Sequence, residues 1–303
     1  MQKIPDKILK SGETMPVLGF GTWTLHGEYG SNIIAYALQN GYRAIDTAQA
    51  YSNEETVADG IDKSGIKRED IFLTSKLRNR YHGYDNTLMA VELSLKQLRT
   101  DYLDLYLIHW PGEKLYVESW KALVRLYNEG SLKSIGVSNF YPHHLVKCAE
   151  ETGIMPMVDQ IEMHPYFQHY DTVEYCRKND IFLISWSPLA AAGENRRDKK
   201  TGGTASADVL HDANIQKIAA NHQKTVGQVI LRWHIQNGFG AIPKSSNKER
   251  ILENMQLFDF ALTKEEMQII QKLTHKQIRI GDDPETYRFP LLNELVKKGK
   301  VIT

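Results

Sequence analysis

Residues 71–109 read IFLTSKLRNRYHGYDNTLMAVELSLKQLRTDYLDLYLIH. Two short apolar runs, IFLTSKL at 71–77 and LDLYLIH at 103–109, flank a segment of helical character. Within TLMAVELSLKQLRT at 87–100, Leu88, Val91, Leu95 and Leu98 recur at the spacing that places them on one helix face. Near-continuous apolar strands alternating with helices indicate a parallel sheet whose outer face the helices cover.

The same unit recurs along the chain. Further strand-like runs are VLGFG at 17–21, RAIDT at 43–47, SIGVSN at 134–139, MVDQIE at 157–162, FLISWS at 182–187 and AIPKS at 241–245. Helical segments VESWKALVRLYNEG at 117–130 and TVGQVILRWHIQNG at 225–238 both end in glycine, a common helix stop. Eight strands with no linker or composition break predict a closed α/β (β/α)8 TIM barrel forming a single domain over residues 1–303. An N-terminal β-hairpin, an added C-terminal helix at 263–273 and a C-terminal tail at 274–303 complete the expected architecture. An open doubly wound sheet is the second reading. It would carry a dinucleotide fingerprint after its first strand, whereas GFGTWT at 19–24 has two glycines and no third. Residues 190–209 read as a long polar loop after the seventh strand, on the face where barrels build active sites, or else as a linker.

Composition removes several function classes. Lys+Arg and Asp+Glu each total 37, so no net field favours nucleic acid or a membrane surface. No apolar run nears the roughly 20 residues that span a bilayer, and the opening MQKIPDKILKSGETMP lacks a signal-peptide core. Cys148 and Cys176 form no CxxC or disulfide framework, which fits a reducing cytoplasm. His143, His144, His164 and His169 match no metal motif and read as structural or surface residues. The expectation is a cytoplasmic protein without metal, nucleic-acid or membrane partners, as a monomer or weak homo-oligomer.

A barrel places its chemistry at the C-terminal ends of its strands. Asp46 ends the second strand, with Tyr51 in the following loop; Lys76 lies near the end of the third, and His109 ends the fourth. In the stretch AIDTAQAYSNEE at 44–55, Ser52 or Asn53 reads as a helix cap, with Glu54 and Glu55 in the first turn. That leaves Asp46 and Tyr51 for another purpose. Each ionisable residue alone has an ordinary structural explanation, yet three successive strands deliver one each to the same rim. A tyrosine hydroxyl titrates near 10, and an adjacent ammonium stabilises its phenolate and lowers that value. Asp46 would keep Lys76 charged, and His109 would orient a carbonyl oxygen. The set suits protonation of an oxygen that becomes negative as hydride reaches its carbon.

With GFGTW at 19–23, DTAQAY at 46–51, SKL at 75–77, IHWP at 108–111 and GVSNF at 136–140, the sequence resembles the aldo-keto reductases. VDQIEMHP at 158–165, SWSPL at 185–189, IPKS at 242–245 and the following Arg250, Glu253 and Asn254 extend the resemblance to nearly the whole chain. It is similar to the bacterial branch that resembles diketogluconate reductases. The resemblance implies carbonyl reduction by a tetrad of Asp46, Tyr51, Lys76 and His109, with NADPH as cofactor and NADH as an allowed second. It implies that Ser138, Asn139 and Gln160 hold the nicotinamide amide, and that Trp186 stacks on the ring. Ser187, Leu189 and the following loop would hold the pyrophosphate, with Pro188 also bordering the cofactor. Lys244, Ser245, Ser246 and Arg250 would hold the 2′-phosphate, with Glu253 and Asn254 near the adenine. Gly21, Thr22, Trp23 and Asp46 would also border the cofactor. Trp23, Tyr51, His109 and Trp110 would face a small-molecule carbonyl substrate, while Arg78 reads either as a solvated loop arginine or as a substrate contact that pairs with an anionic or polyhydroxylated group. The chain departs from the family's pattern at Trp186, where many relatives carry tyrosine, at Ser52, a common glycine, and at Arg78, often tryptophan. Two rival readings keep the barrel: a lyase using Lys76 as a Schiff-base nucleophile, and a non-catalytic NADPH-binding redox sensor.

Overall fold

A computed structural model describes residues 4–113, 115–190 and 208–297. An antiparallel hairpin, β1 (Asp6–Ile8) and β2 (Thr14–Pro16), precedes eight parallel strands. These are β3 (Phe20–Gly21), β4 (Ala44–Asp46), β5 (Phe72–Leu77), β6 (Leu105–Ile108), β7 (Ile135–Ser138), β8 (Val158–Glu162), β9 (Phe182–Trp186) and β10 (Gly240–Ala241). Each strand pairs with the next in the chain. The ring closes where Leu18 bridges Ala241: Gly19 N–H donates to Ala241 O and Ala241 N–H to Val17 O, both at 2.9 Å. Closure decides for the barrel against the open sheet.

The strands are buried almost throughout and mostly apolar, because both faces are covered, outside by helices and inside by their own side chains. The helix between β5 and β6 runs over Tyr84–Leu98. Its inward positions are Thr87, Ala90, Val91, Ser94 and Leu98, while Leu88 and Leu95 are only half-buried. Small residues let the helix approach the sheet closely enough for Ser94 Oγ to meet the hydroxyl of Tyr106 on β6 at 3.3 Å. The hairpin adds Ile4, Leu9 and Met15 to the core. Ser11 Oγ meets Ser134 Oγ at 2.7 Å and Lys10 Nζ donates to Asn179 O at 2.6 Å, so the hairpin lies at the strands' N-terminal ends.

The added helix spans Lys264–Lys272 and opens on a capping box between Thr263 and Glu266. The tail does not trail away. Its segment 277–290 crosses the C-terminal ends of the strands, with Tyr287 against Trp110 and Phe289 against His82. Most of the loop expected at 190–209 lies outside the described residues. Among the described residues no helix is long and apolar enough to cross a membrane.

Candidate active site

Lys76 is fully buried at the centre of the barrel's C-terminal end. Its Nζ forms an ion pair with Asp46 Oδ1, donates to Thr47 O at 2.9 Å and reaches Tyr51 OH at 3.5 Å. Burial acts to lower the lysine's pKa, but the Asp46 charge and then Tyr51 outweigh it, leaving the ammonium more firmly protonated than usual. Asp46 Oδ2 accepts from Gln160 Nε2 at 2.7 Å, a bond across the barrel from β8 to β4. Tyr51 ends a single 3₁₀ turn, Gln49–Tyr51, after which Ser52 takes the left-handed conformation at φ 53°. That conformation favours glycine, and serine adopts it here. The ring of His109 packs edge-on against Tyr51, with centroids 5.8 Å apart. Desolvation, then repulsion by Lys76 and by His82, pushes His109 down to about 3, so its ring is neutral at physiological pH.

Local sequence reading is corrected on the other side of the Tyr51 turn. Asn53 is the first residue before the helix Glu54–Ser64, but its side chain makes no cap bond. It donates instead to Thr22 O at 2.8 Å and Leu25 O at 2.9 Å and accepts from Thr47 Oγ1 at 2.8 Å, joining the loops after β3 and β4. Glu54 is not a solvated first-turn acid: it is buried and accepts from Ser75 Oγ on β5 at 2.6 Å. Burial raises its pKa, with hydrogen bonds from Ser75 and Ser94 opposing.

Above this cluster lies a cavity of about 440 Å³. Asp46, Tyr51 and His109 line it together with Gly21, Thr22, Trp23 and Trp110. Ser138, Asn139, Gln160, Trp186, Ser187, Pro188, Leu189 and Lys244 form further walls. Asn139, itself left-handed at φ 64°, donates to His109 O at 3.0 Å and accepts from Trp186 Nε1 at 2.9 Å, which fixes the indole. Ser187 and Ala190 also have positive φ, and Ala190 N–H closes the turn on Ser187 O at 2.8 Å. His234 braces this turn from below, with Nε2 donating to Pro188 O at 3.3 Å and Nδ1 accepting from Ser185 Oγ at 2.9 Å.

Five residues named from the sequence lie beyond the cavity lining toward or along the helix Lys248–Glu253, and Arg78 lies apart. Ser245 Oγ accepts from Asn247 N–H at 3.1 Å, and Ser246 O accepts from Tyr29 at 3.4 Å. Arg250 is exposed; Glu253 accepts from Thr225 Oγ1 at 2.6 Å, and Asn254 is buried. Arg78 follows β5, its N–H donating to Gln49 Oε1 at 3.0 Å, and its side chain is not part of the cavity wall. The sequence reading missed Ile242, Pro243, Gly281, Asp282 and Tyr287, which also line the cavity. The last three belong to the tail, and no periodicity in GDDPETYRFP at 281–290 signals where that segment folds.

Among the described residues one trio, His143, His144 and Glu285, groups three potential metal ligands. His144 Nδ1 accepts the Tyr141 N–H at 3.2 Å, so the ring proton sits on Nε2, the nitrogen nearer Glu285. That protonation state suits a hydrogen bond and opposes ligation.

The model of the Aldo/keto reductase family matches residues 17–275. The chain is 44% identical over 283 residues to a 9,11-endoperoxide prostaglandin H2 reductase of Trypanosoma cruzi (strain CL Brener), covering 93% of this chain and 95% of that protein. It is 41% identical over 281 residues to the methylglyoxal reductase DkgA of Escherichia coli (strain K12), covering 92% and 96%. A Gox0644 variant crystallised with NADPH superposes with a TM-score of 0.86 at 42% identity, over 95% of this chain and 100% of that one. The chain belongs to the aldo/keto reductase family.

Proposed function

We propose that this protein reduces small aldehydes or ketones to alcohols, with Tyr51 donating the proton. The observation that carries the reading is the buried Lys76 ammonium, locked by Asp46 and Thr47 O and directed at the Tyr51 hydroxyl at the cavity floor. NADPH, when bound, supplies the hydride. The residues fit that cofactor: two side-chain amides, Asn139 and Gln160, face the same cavity as the half-buried indole of Trp186. Lys244 lines the cavity too, and Arg250 stands on the helix just beyond; neither has an acidic partner among the described residues. The volume lies within the range of about 300–1,000 Å³ usual for small-molecule sites.

A carbonyl oxygen placed between Tyr51 and His109 would take a hydrogen bond from each. Neutral His109 can donate one N–H without bringing a competing charge. As the oxygen becomes negative it takes the Tyr51 proton, and Lys76 stabilises the phenolate left behind. Asp46 is the positioning residue behind Lys76. The same geometry disfavours Lys76 as a Schiff-base nucleophile, because attack needs a neutral amine and this one is held protonated. It also disfavours a purely sensory barrel, since a binding role gives no reason to bury a lysine under a tyrosine. Methylglyoxal reductase among the relatives makes 2-oxoaldehydes the first substrates to try.

Absorbance at 340 nm over a panel of aldehydes and ketones with each nicotinamide cofactor is expected to show NADPH oxidation, fastest with short 2-oxoaldehydes. No oxidation with any member would overturn the assignment. A second expectation concerns cofactor choice. Arg250→Ala should weaken NADPH binding by roughly tenfold, the size of one lost charged hydrogen bond, and leave NADH binding nearly unchanged. Equal losses for both cofactors would make Arg250 structural.

A further inference from the structure

Glu162 ends β8 two residues beyond Gln160, and its carboxylate is buried. It faces neither Tyr51 nor Lys76 but the C-terminal tail. Oε1 accepts the Ile280 N–H at 2.6 Å and Oε2 the Gly281 N–H at 2.7 Å, two successive amides of a segment more than a hundred residues away. His164 Nε2 lies 3.2 Å from Oε1, while its Nδ1 accepts the Tyr166 N–H at 3.3 Å, which puts the ring proton on the side of the carboxylate. Burial tends to raise the Glu162 pKa, but the bonds from His164 and the two amides prevail and hold it below the ordinary value. The acceptor is therefore an anion with its donors in place.

The clamp has a geometric consequence for the site. Glu162 and Trp186 are direct partners across β8 and β9. A Cβ added at Gly281 would lie 2.5 Å from Trp186 Cη2 and 3.0 Å from Glu162 Oε2, so the tail backbone abuts the far edge of the indole. The near edge is held by Asn139. Directly after the clamp, Asp282 and Tyr287 enter the cavity wall, and Tyr287 packs on Trp110 with centroids 4.8 Å apart.

We infer that Glu162 is a positioning residue that latches the C-terminal tail against Trp186, so that one buried carboxylate sets both the cofactor-stacking surface and the carbonyl-side wall. This rests on the reading of the cavity proposed above. The latch acts through backbone amides, so it asks little of the tail's side chains except glycine at 281.

Glu162→Gln keeps the volume but turns an N–H₂ toward one of two N–H groups, so that only one amide can still be accepted. In the cofactor-free protein, amide exchange of peptides covering 278–290 should speed up by about tenfold, the scale of one lost charged hydrogen bond. The NADPH Kd and the carbonyl KM should each rise by about as much. The turnover number should stay within about threefold, because Tyr51, Lys76 and His109 are untouched. Gly281→Ala keeps the carboxylate but pushes the tail off the indole, and should raise the same Kd and KM. Arg288→Ala removes the outer ion pair of the tail with Glu113 and two donations to the tail's own carbonyls, Glu285 O and Tyr287 O, but leaves the Glu162 clamp in place and should leave NADPH affinity unchanged. Unchanged exchange in Glu162→Gln would show that there is no latch. Faster exchange with unaltered Kd would show that the latch does not position the site. Should the glutamine variant fail to fold, an unaltered Kd in Gly281→Ala overturns the inference by itself. Exchange and NADPH binding are read without a carbonyl substrate, so failure of the wild-type protein to reduce any carbonyl would count against the proposed function and not against the latch.

Discussion

Replacing Tyr51 by phenylalanine is expected to cut carbonyl turnover by roughly 10²–10⁴, the usual contribution of a positioned proton donor. The ring stays, with its edge-on packing against His109, so folding should be preserved. NADPH affinity should change little, because the hydroxyl touches Lys76 and the cavity floor while most of the groups proposed to hold the cofactor lie on or after β7 to β10. Lys76 should retain its ion pair with Asp46 and its bond to Thr47 O. Steady-state turnover, with a deuteride isotope effect to show that the hydride step limits the rate, is the measurement. Near wild-type turnover under that condition would remove Tyr51 from the chemistry and with it the role of Lys76.

A second large effect is expected in acid. Burial pushes His82 and His234 down to about 3, whereas an unfolded histidine titrates near 6.5. Below pH 6.5 the unfolded chain takes up protons that the folded chain refuses, so the folded state loses stability as pH falls toward 3. The sign is that of a group binding more protons when unfolded: stability is full above about 6.5 and declines below it. Each such histidine costs roughly 2 kcal/mol between pH 6.5 and 4.5. Asp159 and Glu54 work in the opposite direction, because burial raises both carboxyl groups. The histidine contribution is therefore read as a difference. His234→Gln can still accept from Ser185 and donate to Pro188 O, yet it cannot titrate. Relative to wild type, its urea-unfolding stability should improve by roughly 2 kcal/mol on going from pH 6.5 to 4.5. Parallel stability curves for the two proteins would show that His234 is not held neutral.

The eight strands were legible because a parallel barrel strand is buried on both faces and so appears as an apolar run. Asp46, Lys76 and His109 were legible for a related reason, since a strand's end is visible where such a run stops. Tyr51 was legible through its place in the loop that follows Asp46. The resemblance named Trp186, Ser187, Pro188, Leu189 and Lys244, and all five line the cavity. Glu54 was misread because helix position suggests a solvated acid, while the face on which a residue lands depends on the angle at which the helix meets β5. Asn53, like Ser52, fits a cap by residue type; its partners at Thr22 and Leu25 come from another loop and leave no mark in local sequence.

The amino-acid sequence by itself determined the alternation of strands and helices, their number, and the rim on which the ionisable groups stand. These follow from periodicity and from short-range chain geometry, which act between near neighbours. Tertiary structure alone decided that Gln160 donates to Asp46 across the barrel and that Arg78 stays out of the cavity wall. It alone also brought the tail back over Trp186 onto the Glu162 carboxylate. Each of these joins residues far apart in the chain through hydrogen bonds and steric fit, and such pairings exist only once the barrel has closed.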